Sequence, residues 1–208
     1  MTSEIKSAYL AAEGLTEPLL DELDGVIAVH DRLILSSKPF IDAHWAQNIW
    51  RTPQIVHIDS INDAAKKLKA IQRNWCLYSY QLHRRAKLIE ENLNTNQKKP
   101  IIFPSLLSPA PPGSFALLDE NTLLASTECS SPFPNGEAHF VEDKEGPPNR
   151  AYLKLYESLT LAGTRPQPGE FCIDVGGSPG GWAWVIHQCG AEVLSIDRSP
   201  LSPSVANL

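Results

Sequence analysis

The chain has 208 residues, of which 42% are hydrophobic, and a formal net charge of −6 at pH 7. This length and apolar content are enough to bury a core and allow one or two domains. The amino terminus lacks the basic and apolar pattern of a signal peptide, and no apolar run approaches the length of a membrane span, so we expect a soluble, cytoplasmic protein.

The first 60 residues alternate short apolar segments with turn residues, which is typical of a small α+β unit. The pattern predicts a strand, a helix, a hairpin turning at Asp31-Arg32, a second helix and a further strand at residues 7–12, 16–23, 26–35, 43–50 and 54–58.

Two β-α pairs follow. Ser60, with Asp63 three residues later, predicts a capped helix that runs to about Asn74. The next elements are a strand, a helix and a short strand at residues 75–80, 81–93 and 100–103. Proline and glycine interrupt residues 104–113, and a hairpin turning at 119–121 is predicted beyond them. These residues predict a compact α/β module.

Basic side chains are concentrated in residues 61–100, which hold nine basic and three acidic residues, a net charge of +6 against −12 for the rest. Because binding to a polyanion requires positive charge that faces the phosphates, we predict that this segment contacts RNA. The alternative is that these are solvated helix faces, with Trp75, Tyr78 and Tyr80 in the core. The cations are Lys66, Lys67, Lys69, Arg73, Arg84, Arg85, Lys87, Lys98 and Lys99.

Beyond a second breaker-rich stretch at residues 131–148, the pattern becomes that of a parallel sheet. A helix, a strand, a second helix and a second strand are predicted at residues 150–162, 171–175, 182–189 and 192–196. A β-α-β unit of this kind requires a right-handed crossover between parallel strands.

A glycine-rich run joins the strand at 171–175 to the helix after it, and reads Asp174-Val175-Gly176-Gly177-Ser178-Pro179-Gly180-Gly181-Trp182. Glycines let the backbone approach a ligand closely, and the helix N-terminus offers free N–H groups to an anion. Asp197 ends the next strand, 19 residues after Ser178, where a carboxylate can accept both hydroxyls of an adenosine ribose. The combination predicts a nucleoside cofactor.

The run differs from the G-x-G-x-x-G pattern that seats a pyrophosphate, because Ser178 occupies its third position and Pro179 stiffens the turn. We therefore predict that the anion is the methionine carboxylate of S-adenosylmethionine. A packing role for the glycines and a nicotinamide cofactor are the alternatives.

Upstream, residues 148–155 read P-N-R-A-Y-L-K-L, with Lys154 placed 20 residues before Asp174. An R-x-x-x-K-L helix followed by a D-x-G-x-x-P-G-G-W loop is similar to the FtsJ-type ribose methyltransferases. Residues 133–200, about a third of the chain, resemble the bacterial large-subunit ribosomal RNA 2′-O-ribose methyltransferase M family more closely. The amino-terminal part resembles the RNA-binding region of that family, including a THUMP-like module, in outline and order.

The resemblance implies methylation of a ribose 2′-hydroxyl in large-subunit ribosomal RNA, with S-adenosyl-L-methionine as cofactor. It also implies a Lys-Asp-Lys-Glu catalytic set, in which Lys154 matches the first lysine and positions the hydroxyl. An ordinary lysine is mostly protonated at neutral pH, so the local environment must tune any lysine that acts as base. Arg150 joins the predicted RNA-binding residues, and the predicted cofactor-binding residues are Asp174, Gly176, Gly177, Ser178, Pro179, Gly180, Gly181, Trp182 and Asp197.

Two positions depart from the family pattern. Ser178 stands where these enzymes often have cysteine, which matters little if backbone groups make the contact. Ala151 stands where a serine commonly approaches the cofactor, so a side-chain hydrogen bond from that position is absent.

The expected fold is α/β. An incomplete Rossmann-like S-adenosylmethionine methyltransferase domain at residues 149–208 follows a linker at 131–148. An α+β ferredoxin-like and THUMP-like RNA-binding region precedes them, with a small unit at 1–59 and the THUMP-like module at 60–130. Because only two strands of a parallel sheet are predicted, we expect this chain to be part of a longer protein and to be inactive alone.

Other interpretations stay open at this point. An FtsJ-like enzyme could act on another RNA, such as a messenger RNA cap, or the chain could bind RNA or cofactor without catalysis. The scattered cysteines and histidines show neither C-x-x-C nor H-x-x-x-H spacing, so we expect free thiols and no metal site.

Overall fold

A computed structural model describes residues 4–93, 99–108 and 110–208. Lys98 and Pro109 lie outside the described residues. The chain divides into two compact units. Unit 1 comprises Met1–Lys99 and Ser108–Glu137, and unit 2 comprises Pro100–Leu107 and Ala138–Leu208. Within the described ranges, no helix has both the length and the apolar content needed to cross a membrane.

Unit 1 begins with an antiparallel sheet, sheet 1, whose strand order is β2-β3-β1-β4. One helix, α1, covers a face of sheet 1 through Leu19, which packs with Tyr9, Ile34 and Ile49. The predicted hairpin at Asp31-Arg32 is confirmed. The elements are β1 (Ser7–Ala11), α1 (Thr16–Glu22), β2 (Val26–His30), β3 (Leu33–Ser36) and β4 (Ala46–Trp50).

The helix predicted at residues 43–50 is wrong, because Ala46–Trp50 forms strand β4. This strand pairs with β1, with Ala8 opposite Trp50. The Asn48 side chain on β4 is buried, and its amide donates a hydrogen bond to Ser114 Oγ at 3.3 Å. Backbone pairing with a distant strand therefore outweighs the local helical pattern.

A second sheet, sheet 2, has the strand order β5-β8-β7-β6, in which β6 and β7 are parallel and the other pairs are antiparallel. The hairpin predicted around 119–121 is confirmed as the β7–β8 connection. A 3₁₀ turn at Pro134–Gly136 follows it. The elements are β5 (Gln54–His57), α2 (Ile61–Ile71), β6 (Trp75–Leu77), α3 (His83–Leu93), β7 (Gly113–Asp119) and β8 (Thr122–Ser126).

Strand β7 shows how the core of unit 1 is divided. Successive strand residues point to opposite faces, so Ala116 packs with Leu10 of sheet 1, whereas Phe115 packs with Leu68 and Ile89 on α2 and α3. The layers are therefore α1, sheet 1, sheet 2 and the α2–α3 pair. Apolar residues buried between each pair of layers stabilise the stack.

Unit 2 is built from three helices and a parallel strand pair. Strand β9 pairs with β10 from Phe171 opposite Glu192 to Val175 opposite Ile196. Tyr152 and Trp184 pack edge to face at 5.6 Å between the two longer helices. The elements are α4 (Tyr152–Ala162), β9 (Phe171–Val175), α5 (Gly181–Gln188), β10 (Glu192–Ile196) and α6 (Pro203–Ala206). The expectation of a mixed α/β chain is confirmed.

The two faces of the β9–β10 pair differ in exposure. Asp174 is 5% exposed on the face covered by α5, whereas Ile173 and Val175 are 60% and 78% exposed on the opposite face. Successive strand residues point to opposite faces, and this directs the Asp174 carboxylate into the unit, next to the glycine-rich loop.

The cap of helix α2 generates a stability prediction. Ser60 Oγ accepts a hydrogen bond from the Asp63 N–H at 3.1 Å, as its sequence position predicts. Ser60→Ala should lower the free energy of unfolding by about 1 kcal/mol, because a helix-end N–H loses its acceptor. Urea denaturation followed by circular dichroism measures this change. Ser60→Thr keeps a hydroxyl and serves as the control. Equal stability of the alanine and threonine variants would contradict the prediction.

Candidate cofactor and RNA sites

The glycine-rich loop, residues 174–182, joins the end of β9 to the start of α5. Gly180 has a φ of 114°, a left-handed conformation that residues with a side chain rarely adopt. Its carbonyl accepts the first hydrogen bond of α5, from the Trp184 N–H at 2.9 Å. The turn at Gly180 therefore allows the helix to begin directly at the loop.

A buried carboxylate lies beneath the loop. Ser195 on β10 donates its hydroxyl to Asp174 Oδ2 at 3.3 Å. A Cβ atom on Gly177 would lie 2.5 Å from Asp174 Oδ2 and 2.7 Å from Ser195 Oγ. Only glycine therefore fits above this pair without displacing it.

Asp197 connects the loop to the end of β10. Its Oδ2 accepts a hydrogen bond from the Ser178 N–H at 2.9 Å, and its Oδ1 accepts one from the Ser199 N–H at 2.9 Å. These backbone donors, that of Ser199 first, lower the pKa of the Asp197 carboxyl below its ordinary value of 3.8. The carboxylate is exposed, so its remaining lone pairs can accept hydrogen bonds from a ligand.

Further contacts tie the loop to the segment after β10. The Ser178 hydroxyl donates to the Pro200 carbonyl at 2.9 Å, and the Ser202 N–H donates to the Pro179 carbonyl at 2.9 Å. Val205 of α6 packs against Gly180, where an added Cβ would lie 2.9 Å from Val205 Cγ1. The loop is therefore held from two sides.

Lys154 and most of the predicted cofactor-binding residues line one cavity of about 250 Å³. Pro179, Gly180 and Asp197 do not line it. Pro179 and Gly180 contact the segment after β10, and Asp197 accepts a hydrogen bond from the Ser178 N–H. The predicted residues at the cavity are Lys154, Asp174, Gly176, Gly177, Ser178, Gly181 and Trp182.

Unit 2 also has a cavity of about 450 Å³, which lies between α5, β10 and α6. It is lined by residues such as Val193 and Leu201, and neither Lys154 nor residues 174–182 contribute to it. We therefore assign the candidate site by its chemical groups rather than by its volume.

The start of α4 is joined to the start of α5. The Trp182 indole N–H donates to the Ala151 carbonyl at 3.0 Å. Lys154, on the first turn of α4, is exposed at the cavity. Arg150, predicted to bind RNA, forms an ion pair with Glu142 at 2.7 Å, and both side chains are accessible to solvent.

Two residues at this site were missed in the sequence. Asn149 lines the cavity, and Ser195 contacts Asp174. Asn149 immediately precedes the predicted helix, where asparagine is a common capping residue, so its position carried a usable signal. Ser195 precedes Asp197 by two residues and lies opposite Asp174 in the strand pair. Strand alternation alone could not show which side chain it would contact.

The basic residues predicted to bind RNA between Lys66 and Lys87 lie on or beside α2 and α3 of unit 1. The two helices pack side by side, and Lys69 Nζ donates to the Asn92 carbonyl at 2.7 Å. Lys67 pairs with Asp63 at 2.8 Å, and Lys87 pairs with Glu90 at 2.9 Å.

The remaining cations of this pair of helices differ in exposure. Lys66, Arg73 and Arg84 are exposed, whereas Arg85 is half-buried. Trp75 is fully buried and donates its indole N–H to the Leu68 carbonyl at 2.9 Å, so it belongs to the core.

The described residues contain no group of three or more histidine, cysteine, aspartate or glutamate side chains that could hold a metal ion. The four cysteines, Cys76, Cys129, Cys172 and Cys189, are free thiols.

Residues 147–205 match the family described as FtsJ-like methyltransferase. This segment contains Lys154, the glycine-rich loop and Asp197. The segment is therefore similar to FtsJ-like methyltransferases. The resemblance inferred from the R-x-x-x-K-L helix and the loop is therefore confirmed.

Curated relatives that match the chain are named Ribosomal RNA large subunit methyltransferase M. The Halorhodospira halophila protein is 43% identical over 63 residues, which are 29% of this chain and 19% of that protein. The Xanthomonas oryzae pv. oryzae protein is 31% identical over 157 residues, which are 73% of this chain and 42% of that protein. The chain therefore spans less than half the length of these relatives.

The contact between Gly180 and Val205 generates a second prediction. Gly180→Ala should destabilise unit 2, because it combines a positive φ with a Cβ placed 2.9 Å from Val205. Gly169 has a φ of 86° with no atom within 4 Å of an added Cβ, so Gly169→Ala carries only the backbone cost of about 1–2 kcal/mol.

Thermal unfolding should show a larger loss of Tm for Gly180→Ala than for Gly169→Ala. Adding Val205→Ala to Gly180→Ala should cost less than the sum of the two single changes, because the clashing methyl groups are removed. The contact with Val205 would have no energetic effect if the two glycine variants lost the same Tm and if the loss in the double variant equalled the sum of its two single changes.

Proposed function

We propose that the protein methylates a ribose 2′-hydroxyl of large-subunit ribosomal RNA, with S-adenosylmethionine as the methyl donor. The observation that carries the proposal is the single cavity that brings Lys154 together with the glycine-rich loop, within a segment that matches FtsJ-like methyltransferases. The names of the relatives, which refer to large-subunit ribosomal RNA, favour this substrate over a messenger RNA cap.

The residues present fit S-adenosylmethionine. Gly176 lines the cavity, and no atom lies within 4 Å of a Cβ placed on it, so a ligand can approach the main chain there. Asp197 lies outside the cavity lining and has an exposed carboxylate, which suits the two ribose hydroxyls of the adenosine. When bound, the cofactor supplies an electrophilic methyl group on a sulfonium ion.

Lys154 is assigned to positioning. A ribose hydroxyl is a poor nucleophile at neutral pH and must be oriented toward the methyl group before it can react. An exposed lysine at the mouth of the cavity offers N–H donors to the oxygen of that hydroxyl. This role agrees with the match of Lys154 to the first lysine of the Lys-Asp-Lys-Glu set.

The amino-terminal residues 1–130 are proposed to bind RNA. The strand order of sheet 1 is β2-β3-β1-β4, and helix α1 connects β1 to β2. Both features support a ferredoxin-like arrangement for residues 1–59, in which a loop connects β3 to β4. Residues 60–130 are proposed as the THUMP-like module, residues 131–148 as a linker and residues 149–208 as methyltransferase sequence. The exposed cations on α2 and α3 support the RNA-binding role.

The proposed reaction is tested in cells. Deleting the gene should remove one 2′-O-methyl group from large-subunit ribosomal RNA, and resistance to alkaline cleavage maps the position. The unaltered gene and a Lys144→Ala variant, which changes an exposed lysine elsewhere in unit 2, should restore the methyl group. Lys154→Ala should not restore it. An unchanged pattern of ribose methylation after deletion would disprove the proposed function.

Asp197 generates a binding prediction. Asp197→Asn should weaken S-adenosylmethionine binding by about tenfold, because the amide nitrogen cannot accept a ribose hydroxyl. Since the pKa of this carboxyl lies below 3.8, it is ionised from about pH 5 to 8, and the loss should be constant across that range. Isothermal titration calorimetry at several pH values measures both the affinity for S-adenosylmethionine and its dependence on pH.

The control is Glu145→Gln, which neutralises an exposed acid of unit 2 that does not line the cavity. It should bind the cofactor as tightly as the unaltered chain. If Asp197→Asn behaves like this control, the carboxylate does not contact the ribose.

The α2–α3 cations generate a prediction for RNA. Reversing Lys66, Arg73 and Arg84 to glutamate should weaken binding of a ribosomal RNA fragment and flatten its dependence on salt, because fewer counterions are released. Lys69 and Arg85 are left unchanged, because the first donates to Asn92 and the second is half-buried.

The matched control reverses Lys6, Lys38 and Lys144, three exposed lysines outside α2 and α3, so both variants have the same net charge. Fluorescence anisotropy at several salt concentrations compares them. The same salt slope in both variants would assign the attraction to overall charge rather than to these helices.

A further inference from the structure

We propose that the Asn149 side chain is a specificity-determining donor of this site, whose Nδ2 group binds the amino-acid carboxylate of S-adenosylmethionine. The inference rests on the proposed function, since it concerns the same cavity. It adds a residue that neither the glycine-rich loop nor the R-x-x-x-K-L helix pattern includes.

The orientation of the Asn149 amide is decided by one hydrogen bond. Its Oδ1 accepts from the Ala151 N–H at 3.1 Å. An amide nitrogen has no lone pair to accept this bond, so the oxygen must occupy that position. Nδ2 consequently points away from the Ala151 N–H, and no hydrogen bond from Nδ2 to another described residue is observed.

Gly181 brings this amide to the start of α5. A Cβ atom on Gly181 would overlap Asn149 Oδ1 and lie 3.2 Å from the Tyr152 nitrogen. The absence of a side chain at Gly181 therefore allows the amide to approach the first residue of α5. Asn149 and Gly181 both line the 250 Å³ cavity.

The groups around the amide indicate what it binds. The first N–H groups of a helix have no partner within the helix, so the start of α5 offers donors next to those of Asn149. Lys154 lines the same cavity, and Ala151 contributes no side-chain donor. The carboxylate is the only anionic group of S-adenosylmethionine, so it is the part of the cofactor that suits several converging donors.

The positions of Asp197 and Asp174 indicate where the ribose and the carboxylate of the cofactor bind. Asp197 ends β10 and is assigned to the ribose, whereas Asp174 lies beneath Gly177 with the Ser195 hydroxyl on its Oδ2. Neither carboxylate attracts an anion. The carboxylate of the cofactor is therefore expected at the Asn149 end of the cavity, away from the ribose.

Asn149→Asp separates the two functions of this side chain. Aspartate still accepts the hydrogen bond from the Ala151 N–H, so the Tm should be preserved. It replaces the Nδ2 donor by a negatively charged oxygen, so affinity for S-adenosylhomocysteine should fall about tenfold or more. Affinity for 5′-methylthioadenosine, which has the same nucleoside but no carboxylate, should be unchanged. Asn149→Ala should lower both the Tm and the affinity for S-adenosylhomocysteine.

Calorimetry and thermal unfolding of the whole chain distinguish the outcomes. Unchanged affinity of Asn149→Asp for S-adenosylhomocysteine would overturn the inference and leave the proposed function intact. An equal loss for both nucleosides would also overturn it, because the contact would then not involve the carboxylate. If the unaltered chain binds neither nucleoside, the proposed function itself fails, and this inference fails with it.

Discussion

The Asp197 carboxylate holds together the parts of unit 2 that must be aligned for a ligand to bind. Its two oxygens accept from the Ser178 N–H in the loop and from the Ser199 N–H beyond β10. Because these donors favour the charged form, the bonds are present above the unfolded pKa of 3.8 and are lost only as the pH falls through the lower folded value. A residue proposed to bind ribose is thus already fixed in position, which reduces the ordering that binding must impose.

The glycines of the loop matter because three different elements approach the loop closely. Gly177 lies over the Asp174–Ser195 pair, Gly180 meets Val205 of α6, and Gly181 meets Asn149 before α4. A side chain at any of these positions would displace a neighbour that belongs to a separate part of unit 2. The loop is therefore a tightly packed junction, and its glycine content reflects contacts with α4, α6 and the strand pair as much as access for a ligand.

Features that depend on neighbours in the sequence could be predicted, whereas those that depend on distant pairing could not. Ser60 and Asp63 predict the start of α2. The spacing from Ser178 to Asp197 predicts the positions of the loop and of the end of β10. Strand β4 was mistaken for a helix because its conformation depends on β1, about 40 residues earlier. The ion pair of Lys67 with Asp63 follows helix spacing, but the hydrogen bond from Lys69 to Asn92 requires two helices to pack. At the cavity, Asn149 was missed because the orientation of its amide depends on a hydrogen bond that the sequence does not show.

The charge distribution of unit 1 supports the proposal that a chain with a net charge of −6 binds RNA. Internal partners engage Lys67, Lys69 and Lys87, so the proposed attraction to RNA depends on exposed cations such as Lys66, Arg73 and Arg84. At physiological salt, exposed charges separated by more than about 8 Å are largely screened from one another. Acidic residues beyond that distance therefore weaken the field at α2 and α3 only slightly, so the proposed interaction with RNA depends on the local excess of positive charge. Such contacts with phosphates carry no base sequence information, so selection of one ribose must come from additional contacts to the shape or bases of the RNA.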